Sequence, residues 1–348
     1  MKAADFEYDL PQWAIAQSAI EPRHDARLLD TRDMSDHIFL DLPDLLEPGD
    51  LVVVNETRVR AARVVGHRVK TGGRIEMLFL ERRDDGSWEA LVRPSRRLRP
   101  GVEVEFGAFT AEIISEPEQG KVTVVLDAQD PEAAIEAAGS MPLPHYFTGE
   151  LEDPERYQTM FASSPGSAAA PTAGLHFTEE VIRRLEARGI AMTSVDLHVS
   201  LDTFRPIATD DIEDHEMHSE WCSIPDETAR AISETRDRGG RVVAIGTTVV
   251  RTLETMADGT GRVHAGESHT GLFLRPGSDI TVVDMLVTNF HLPGSTLLVL
   301  LAAFMGNSWR EAYDVALSRQ YRFLSFGDAM LAARRDRSRG GPGRAAAS

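Results

Sequence analysis

A run of short β segments interrupts a chain that otherwise alternates strands and helices, and this interruption limits the fold more than any other feature. From about Val59 to Glu150 the sequence reads "ARVVGHRV", "GRIEMLFLERR", "SWEALVRP", "VEVEFG", "FTAEIIS" and "KVTVVLD". Turn signals separate these runs at Gly72-Gly73, Asp85-Gly86, Pro100-Gly101 and Gln119-Gly120. Short strands at that spacing predict a small barrel or sandwich. On either side the pattern changes. "EPGDLVVVNETRV" predicts a turn and then a buried strand, Leu51 to Val54, that stops at polar residues.

From about Leu151 to Ala333, strands and helices alternate. "EEVIRRLEARG" predicts an amphipathic helix capped by Thr178 and closed at Gly189. "IAMTSVDLHVS" and "RVVAIG" predict strands, "DETARAISETRDRGG" a helix, and "TLLVLLAAFMG" a helix capped by Ser295 or Thr296. The expected fold is therefore a layered α/β domain, residues 1–58 plus 151–333, with an inserted small β-barrel domain at 59–150. The Arg- and Gly-rich tail, 334–348, has no apolar period and is expected to be disordered.

Composition narrows the class. A chain of 348 residues with 42% hydrophobic residues can build two packed domains. Its single cysteine, Cys222, excludes an internal disulfide and any zinc site built from several thiolates, and suits a reducing cytoplasm. "MKAADFEYDLP" has no positive region leading into an apolar run, so no signal peptide is expected. The longest apolar run, Leu297 to Met305, is too short to span a bilayer, which takes about 20 residues. The net charge of −18 opposes a nucleic-acid partner, but its distribution does not. Arg58 to Arg99 holds 12 Lys/Arg and 5 Asp/Glu, or +7, so the remainder carries −25. A solvated sheet face explains such a segment as well as a polyanion site does.

Several stretches carry chemistry. In "AAPTAGLHFT" the small residues Pro171, Thr172 and Gly174 let a ligand approach the backbone, with His176 at the end and a helix N-terminus beyond. A tight connection packed with small residues is the plainer reading. "AIGTTVVRTLE" puts Gly246, Thr247 and Thr248 at the C-terminal end of a buried strand, where α/β sheets bind ligands, with Arg251 on the same helix face. An N-cap threonine and an exposed ion pair are the alternatives. "VTNFHLPGST" offers Asn289 and His291 on a loop, either to a ligand or to the loop's own backbone. "DIEDHEMHSEWC" carries His215, His218 and Glu220, which suit proton transfer better than metal binding because no third ligand follows at a metal spacing. "RPSRRLRPG" places Arg93, Arg96, Arg97 and Arg99 around a turn; arginine forks fit phosphates, and charged hairpins also guard sheet edges.

Taken in order, "YDLP", "PGDLVVVNETRV", "ALVRPSRRLRPG", "MPLPHY", "ERYQTMFA", "PGSAAAPTAGLHFT", "LHVSLDTFRPI", "DHEMHSE", "AIGTTVVRTLE", "VVDMLVTNFHLPGSTLL" and "YRFLSFGDAML" resemble the S-adenosylmethionine:tRNA ribosyltransferase-isomerase family of queuosine biosynthesis. The likeness runs from Tyr8 to Leu331, with departures at His145, Ser200, Asp202 and Val249. It implies an α/β domain with a β-barrel. It implies transfer of the ribosyl part of S-adenosylmethionine, a co-substrate, onto a 7-aminomethyl-7-deazaguanine at the tRNA wobble position, with release of adenine and methionine and formation of epoxyqueuosine. The implied scheme begins with proton loss next to the sulfonium, giving an ylide, and uses no metal and no permanently bound cofactor. The expected partners are that tRNA and S-adenosylmethionine, with no membrane and no obligate protein partner. On this reading His218, Glu220 and His176 are the catalytic candidates. Pro171, Thr172, Gly174, Gly246, Thr247, Thr248, Arg251, Asn289 and His291 are the substrate-binding ones, and Arg93, Arg96, Arg97 and Arg99 bind tRNA. The competing classes are a non-catalytic RNA-binding protein and a metal-dependent hydrolase built on His215, His218 and Glu220.

Overall fold

The computed structural model describes residues 1–96, 98–149, 151, 153–200 and 206–335. Its centre is a nine-stranded sheet in the order Gly266–Thr270, Glu220–Ile224, Ala191–Leu197, Leu51–Asn55, Val242–Ile245, Met285–Asn289, Ala329–Ala333, Arg27–Asp30 and Ser35–Ile38. Four neighbours from Ala191–Leu197 to Met285–Asn289 run parallel, and antiparallel strands flank them. The parallel strands are apolar on both faces because both faces are covered. Leu51 and Val53 enter one core with Val242 and Ala244; Val52 and Val54 enter the opposite core with Val243 and Ile245. The helices Thr247–Thr255, Thr296–Met305 and Ser308–Ser318 cover the first face, and Glu179–Ala187 covers the second.

Between Leu51–Asn55 and Ala191–Leu197, which pair in the sheet, the chain leaves to build a closed barrel of six strands. These are Arg63–Arg68, Arg74–Arg82, Trp88–Arg93, Val102–Glu105, Thr110–Ile113 and Lys121–Asp127. Alternate residues fill the interior, among them Val64, Met77, Phe79, Trp88, Ala90, Val92, Val104, Ile113, Val122 and Val124. The helix Pro131–Ala138 adds Ile135 to that core. The expected fold class, an α/β layer with an inserted barrel, is the one observed.

Of the two expected helix caps, one forms and one does not. Ser295 caps Thr296–Met305 as expected, accepting from the Leu298 amide. Thr178 stands at the N-cap of Glu179–Ala187 but does not cap it; its Oγ1 lies 2.6 Å from His24 Nδ1 instead. Glu220 opens the strand Glu220–Ile224. Among the described residues, no helix is long and apolar enough to cross a membrane. Most of the Arg-rich tail lies outside the described residues, as do Arg97 and Asp202.

Candidate active site

The C-terminal ends of the parallel strands surround a cavity partly open to solvent, whose empty space including that solvent is about 590 Å³. That is the edge at which open α/β sheets bind ligands. Val199 follows one strand, Gly246 the next and Asn289 ends the third; all three line the cavity. Pro171, Thr172, Thr247, Thr248 and His291 line it too, so seven of the nine expected binding residues meet there.

The helix Thr247–Thr255 begins on the cavity wall. Gly246 precedes it at φ +93, a conformation that glycine adopts without strain, and no side chain caps the helix. Its first amides and positive dipole end therefore face the cavity. Thr248 is 6% exposed, and its Oγ1 is buried with no hydrogen-bond partner. A buried hydroxyl without a partner is costly, so a polar ligand atom is its natural complement.

The two remaining binding candidates do not line the cavity. A Cβ on Gly174 would come within 3.0 Å of Thr159 Cγ2, so this glycine serves close packing. Arg251 is 2% exposed and turned into the fold. Its guanidinium pairs with Glu220 and donates to the carbonyls of Thr270 and Leu272. Strand Glu220–Ile224 and helix Thr247–Thr255 pack together, which brings these distant residues into contact.

Glu220 is the hub of a buried cluster. Its Oε1 accepts the Ser200 amide at 2.7 Å and lies 3.0 Å from His218 Nε2, while Oε2 takes Arg251. Burial alone would push this carboxyl up. The Arg251 guanidinium, then His218 and the Ser200 amide, outweigh burial and hold it at about 2. The carboxylate is thus ionised through the neutral range and fixes the His218 ring. Both its oxygens are occupied, which leaves little room for a cation beside Arg251. Among the described residues, no group of three or more His, Cys, Asp or Glu is arranged to hold a metal ion. His215 lies edge-on to Phe273, and burial followed by the His218 charge lowers its pKa.

His176 is 5% exposed and stacked on Phe39. It donates to the Arg23 carbonyl, and its Nε2 lies 3.2 Å from Asn289 Nδ2. Burial, then the charges of Arg322 and Arg23, lower its pKa to about 4. Asn289 Oδ1 in turn accepts from Thr172 Oγ1 at 2.9 Å. A neutral imidazole therefore holds Asn289, and Asn289 holds Thr172, on the cavity wall. His176 itself lines a second pocket, not the cavity. The small-residue stretch also packs: the space above Gly166 is filled by the His198 ring. His291, lowered to about 3 by burial, is set by Thr288 at 3.1 Å and by Tyr8 and Tyr313 on its backbone.

Sequence reasoning missed Tyr146, Ser325, Thr288, Val199 and Leu297, all on the cavity wall. Tyr146 bonds to Ser325, and burial raises its hydroxyl to about 12. Both lie in stretches quoted for the family likeness, "MPLPHY" and "YRFLSFGDAML", but neither segment has a local pattern that says a side chain faces a ligand.

A wide groove runs between the barrel and the segment that ends at His218. Arg83, Glu89, Lys121 and Thr123 form one wall, and Pro206, Thr209, His215 and His218 form the other. Its empty volume is about 1700 Å³, including open solvent. Arg93, Arg96 and Arg99 are exposed on the barrel. Elsewhere in the basic segment, Arg63 and Arg83 pair with Glu76 and Glu89 of the same segment, and Arg58 pairs with Glu155 outside it.

A sequence model described as "Queuosine biosynthesis protein" matches residues 3–332. The chain is 48% identical to the S-adenosylmethionine:tRNA ribosyltransferase-isomerase of Symbiobacterium thermophilum, across 95% of this chain and 99% of that one. It is 46% identical to the enzyme of the same name from Moorella thermoacetica, with the same coverage. A crystal structure of S-adenosylmethionine tRNA ribosyltransferase from Thermotoga maritima is similar at a TM-score of 0.53 and 36% identity, over 94% of this chain and 99% of that one. The chain belongs to the queuosine biosynthesis protein family.

Proposed function

We infer that the chain is an S-adenosylmethionine:tRNA ribosyltransferase-isomerase, which moves the ribosyl part of S-adenosylmethionine onto a 7-aminomethyl-7-deazaguanine in tRNA and releases adenine and methionine. One structural observation supports this most directly: a single chain of contacts joins the cavity to the groove. Val199 lines the cavity, the next residue's amide holds Glu220, Glu220 fixes His218, and His218 lines the groove. A small sulfonium substrate in the cavity and an RNA base entering from the groove would meet beside that imidazole. The base must leave its stack to arrive there.

In this reading the cavity takes S-adenosylmethionine. Its apolar walls accept the methylene chain and ribose. The uncapped helix start with Thr247 and Thr248 takes a carboxylate or ribose hydroxyl, and Thr172 and Asn289 take a further polar edge. His218 removes the proton from the ribose 5′ carbon next to the sulfonium. Glu220 orients the ring and stabilises its cation, an arrangement of base and carboxylate that recurs in general-base catalysis. His176 acts through Asn289 as a positioning residue. The sulfonium is already a leaving group, so the scheme needs no metal. Arg93, Arg96, Arg97 and Arg99 are assigned to the tRNA backbone.

The test is adenine release from S-adenosylmethionine with and without tRNA carrying the aminomethyl base. Release that depends on that tRNA and survives exhaustive chelation is expected. His218→Ala should lower kcat about 100-fold or more, the usual size of a general-base contribution. A His218→Ala enzyme with normal kcat and a raised KM would reassign the residue to substrate binding.

A further inference from the structure

Beside the cavity lies a second pocket, whose empty space including open solvent is about 280 Å³ and whose arginines have no role in the scheme above. Arg23, Arg156 and Arg322 line it together with His176. They come from three distant segments, and each guanidinium is tethered mainly by backbone carbonyls. Arg23 donates to the carbonyls of Gln158 at 2.7 Å and Glu155 at 3.3 Å. Arg156 donates to the carbonyl of Ile20 at 2.8 Å, and Arg322 to that of Ser18 at 3.0 Å. Carbonyls fix direction without cancelling charge.

The carboxylates nearby are poor counter-ions. Glu21 pairs with Arg156, but its side chain is 67% exposed, and an ion pair so open to water is weak. Asp328 is buried, and its oxygens accept the backbone amides of Arg27 and Arg322. It stands 3.8 Å from Arg322 Nη2, an atom that is buried and has no hydrogen-bond partner. The positive charge is felt next door: Arg322 and Arg23 both depress His176, and on Arg23 burial and then Arg156 outweigh the opposing pull of Glu21 and Asp153. Three converging guanidiniums in a chain of net charge −18, one with an unpaired buried donor, make a site for an oxyanion.

We propose that Arg23, Arg156 and Arg322 form a phosphate clamp that grips the RNA backbone beside the nucleotide being modified. The proposal rests on the ribosyl-transfer reading. Ser325 lines both the arginine pocket and the cavity, so the arginines adjoin the cavity that takes S-adenosylmethionine, to which the base being modified must come. The competing oxyanion of the same reaction is the methionyl carboxylate. The uncapped helix start and Thr248 already offer it a place. Several fork-shaped cations suit a phosphodiester with two free oxygens, and the side chains of Arg156 and Arg322 remain 17% and 28% exposed, within reach of a polymer.

The experiment measures equilibrium binding of the full chain to tRNA carrying the aminomethyl base, without S-adenosylmethionine, from about 50 to 200 mM salt. S-adenosylmethionine binding is measured in parallel on Arg156→Ala, Arg322→Ala and the matching lysine variants. Each alanine variant should weaken tRNA binding at least tenfold at the low-salt end and reduce the salt slope by about one. Lysine should restore the slope but not the full affinity, because it cannot bind in a fork. Binding of S-adenosylmethionine should stay within twofold of wild type. The proposal is overturned by tRNA affinity within twofold of wild type in a variant that melts normally, or by a loss of S-adenosylmethionine affinity in its place, which would hand the pocket to the carboxylate. If Arg322→Ala does not fold, Arg156→Ala decides alone, since among the described residues its polar contacts are the Ile20 carbonyl and the exposed Glu21. Failure of the clamp leaves adenine release by the wild-type protein intact, whereas failure of the ribosyl-transfer reading abolishes it.

Discussion

Arg251→Ala should be among the most damaging single substitutions at the site, although Arg251 does not line the cavity. The variant strands an ionised carboxylate, because Glu220 and Arg251 are both almost wholly buried. Two routes give the magnitude. Breaking a buried ion pair from one side costs about 3–5 kcal/mol. Holding Glu220 at about 2 against an ordinary 4.5 corresponds to roughly 3 kcal/mol at about 1.4 kcal/mol per tenfold. The carbonyls of Thr270 and Leu272 lose their donors as well, adding about 1 kcal/mol each. The expected loss is therefore about 5–7 kcal/mol. Its pH dependence has a definite sign. In the parent, Glu220 lies below its unfolded value, so its contribution is complete above about 4.5 and is lost only as pH falls towards about 2. In Arg251→Ala, burial is no longer outweighed by the guanidinium, and the Glu220 carboxyl moves up. The deficit should then shrink on acidification, as the cluster gains a proton. Urea unfolding followed by circular dichroism at pH 8 and pH 5 measures this. A deficit under about 1 kcal/mol, or one equal at both pH values, would refute the claim that the pair is buried and electrostatically coupled.

Three further outcomes are expected. Thr248→Val replaces the unpartnered hydroxyl with a methyl, so stability should hold or rise slightly while S-adenosylmethionine affinity falls about tenfold by calorimetry. His176 and His291 are held neutral at about 4 and about 3 against an ordinary 6.5, so both contribute stability above about 6.5 that is lost as pH falls toward those values; unfolding midpoints for His176→Phe should decline less than those of the parent between pH 6.5 and 4. Replacing both Arg96 and Arg97 by alanine should reduce the salt slope of tRNA binding by about two, and an unchanged slope would remove the barrel turn from the RNA contact.

Much of the architecture is legible in the chain. Short runs such as "KVTVVLD" set between turn signals mark the barrel strands, and double-sided apolar runs such as "LVVV" mark the parallel ones. Residues at strand ends, Gly246, Thr248 and Asn289, reach the cavity because the parallel-sheet rule puts ligands there. What a sequence does not carry is direction. Nothing local says that His176 turns to Asn289 instead of the cavity, since a single 3₁₀ turn presents its side chains on every side. Arg251 was expected on the ligand face from its i+4 spacing to Thr247, but a strand 31 positions earlier in sequence supplies Glu220 and takes the guanidinium inward. The arginine pocket is less visible still, because Arg23, Arg156 and Arg322 converge only after the sheet has closed. Thr178 fits every local rule for a cap, yet His24, 154 residues away, takes its hydroxyl.

The most direct measurement follows two labels in S-adenosylmethionine, one in the ribose and one in the methyl group, after incubation with the protein and tRNA carrying the aminomethyl deazaguanine. The account predicts that the ribose label enters the tRNA in step with adenine release, while the methyl label leaves with methionine. Methyl label in the tRNA, or neither label there while the wild-type protein binds both substrates, would contradict it.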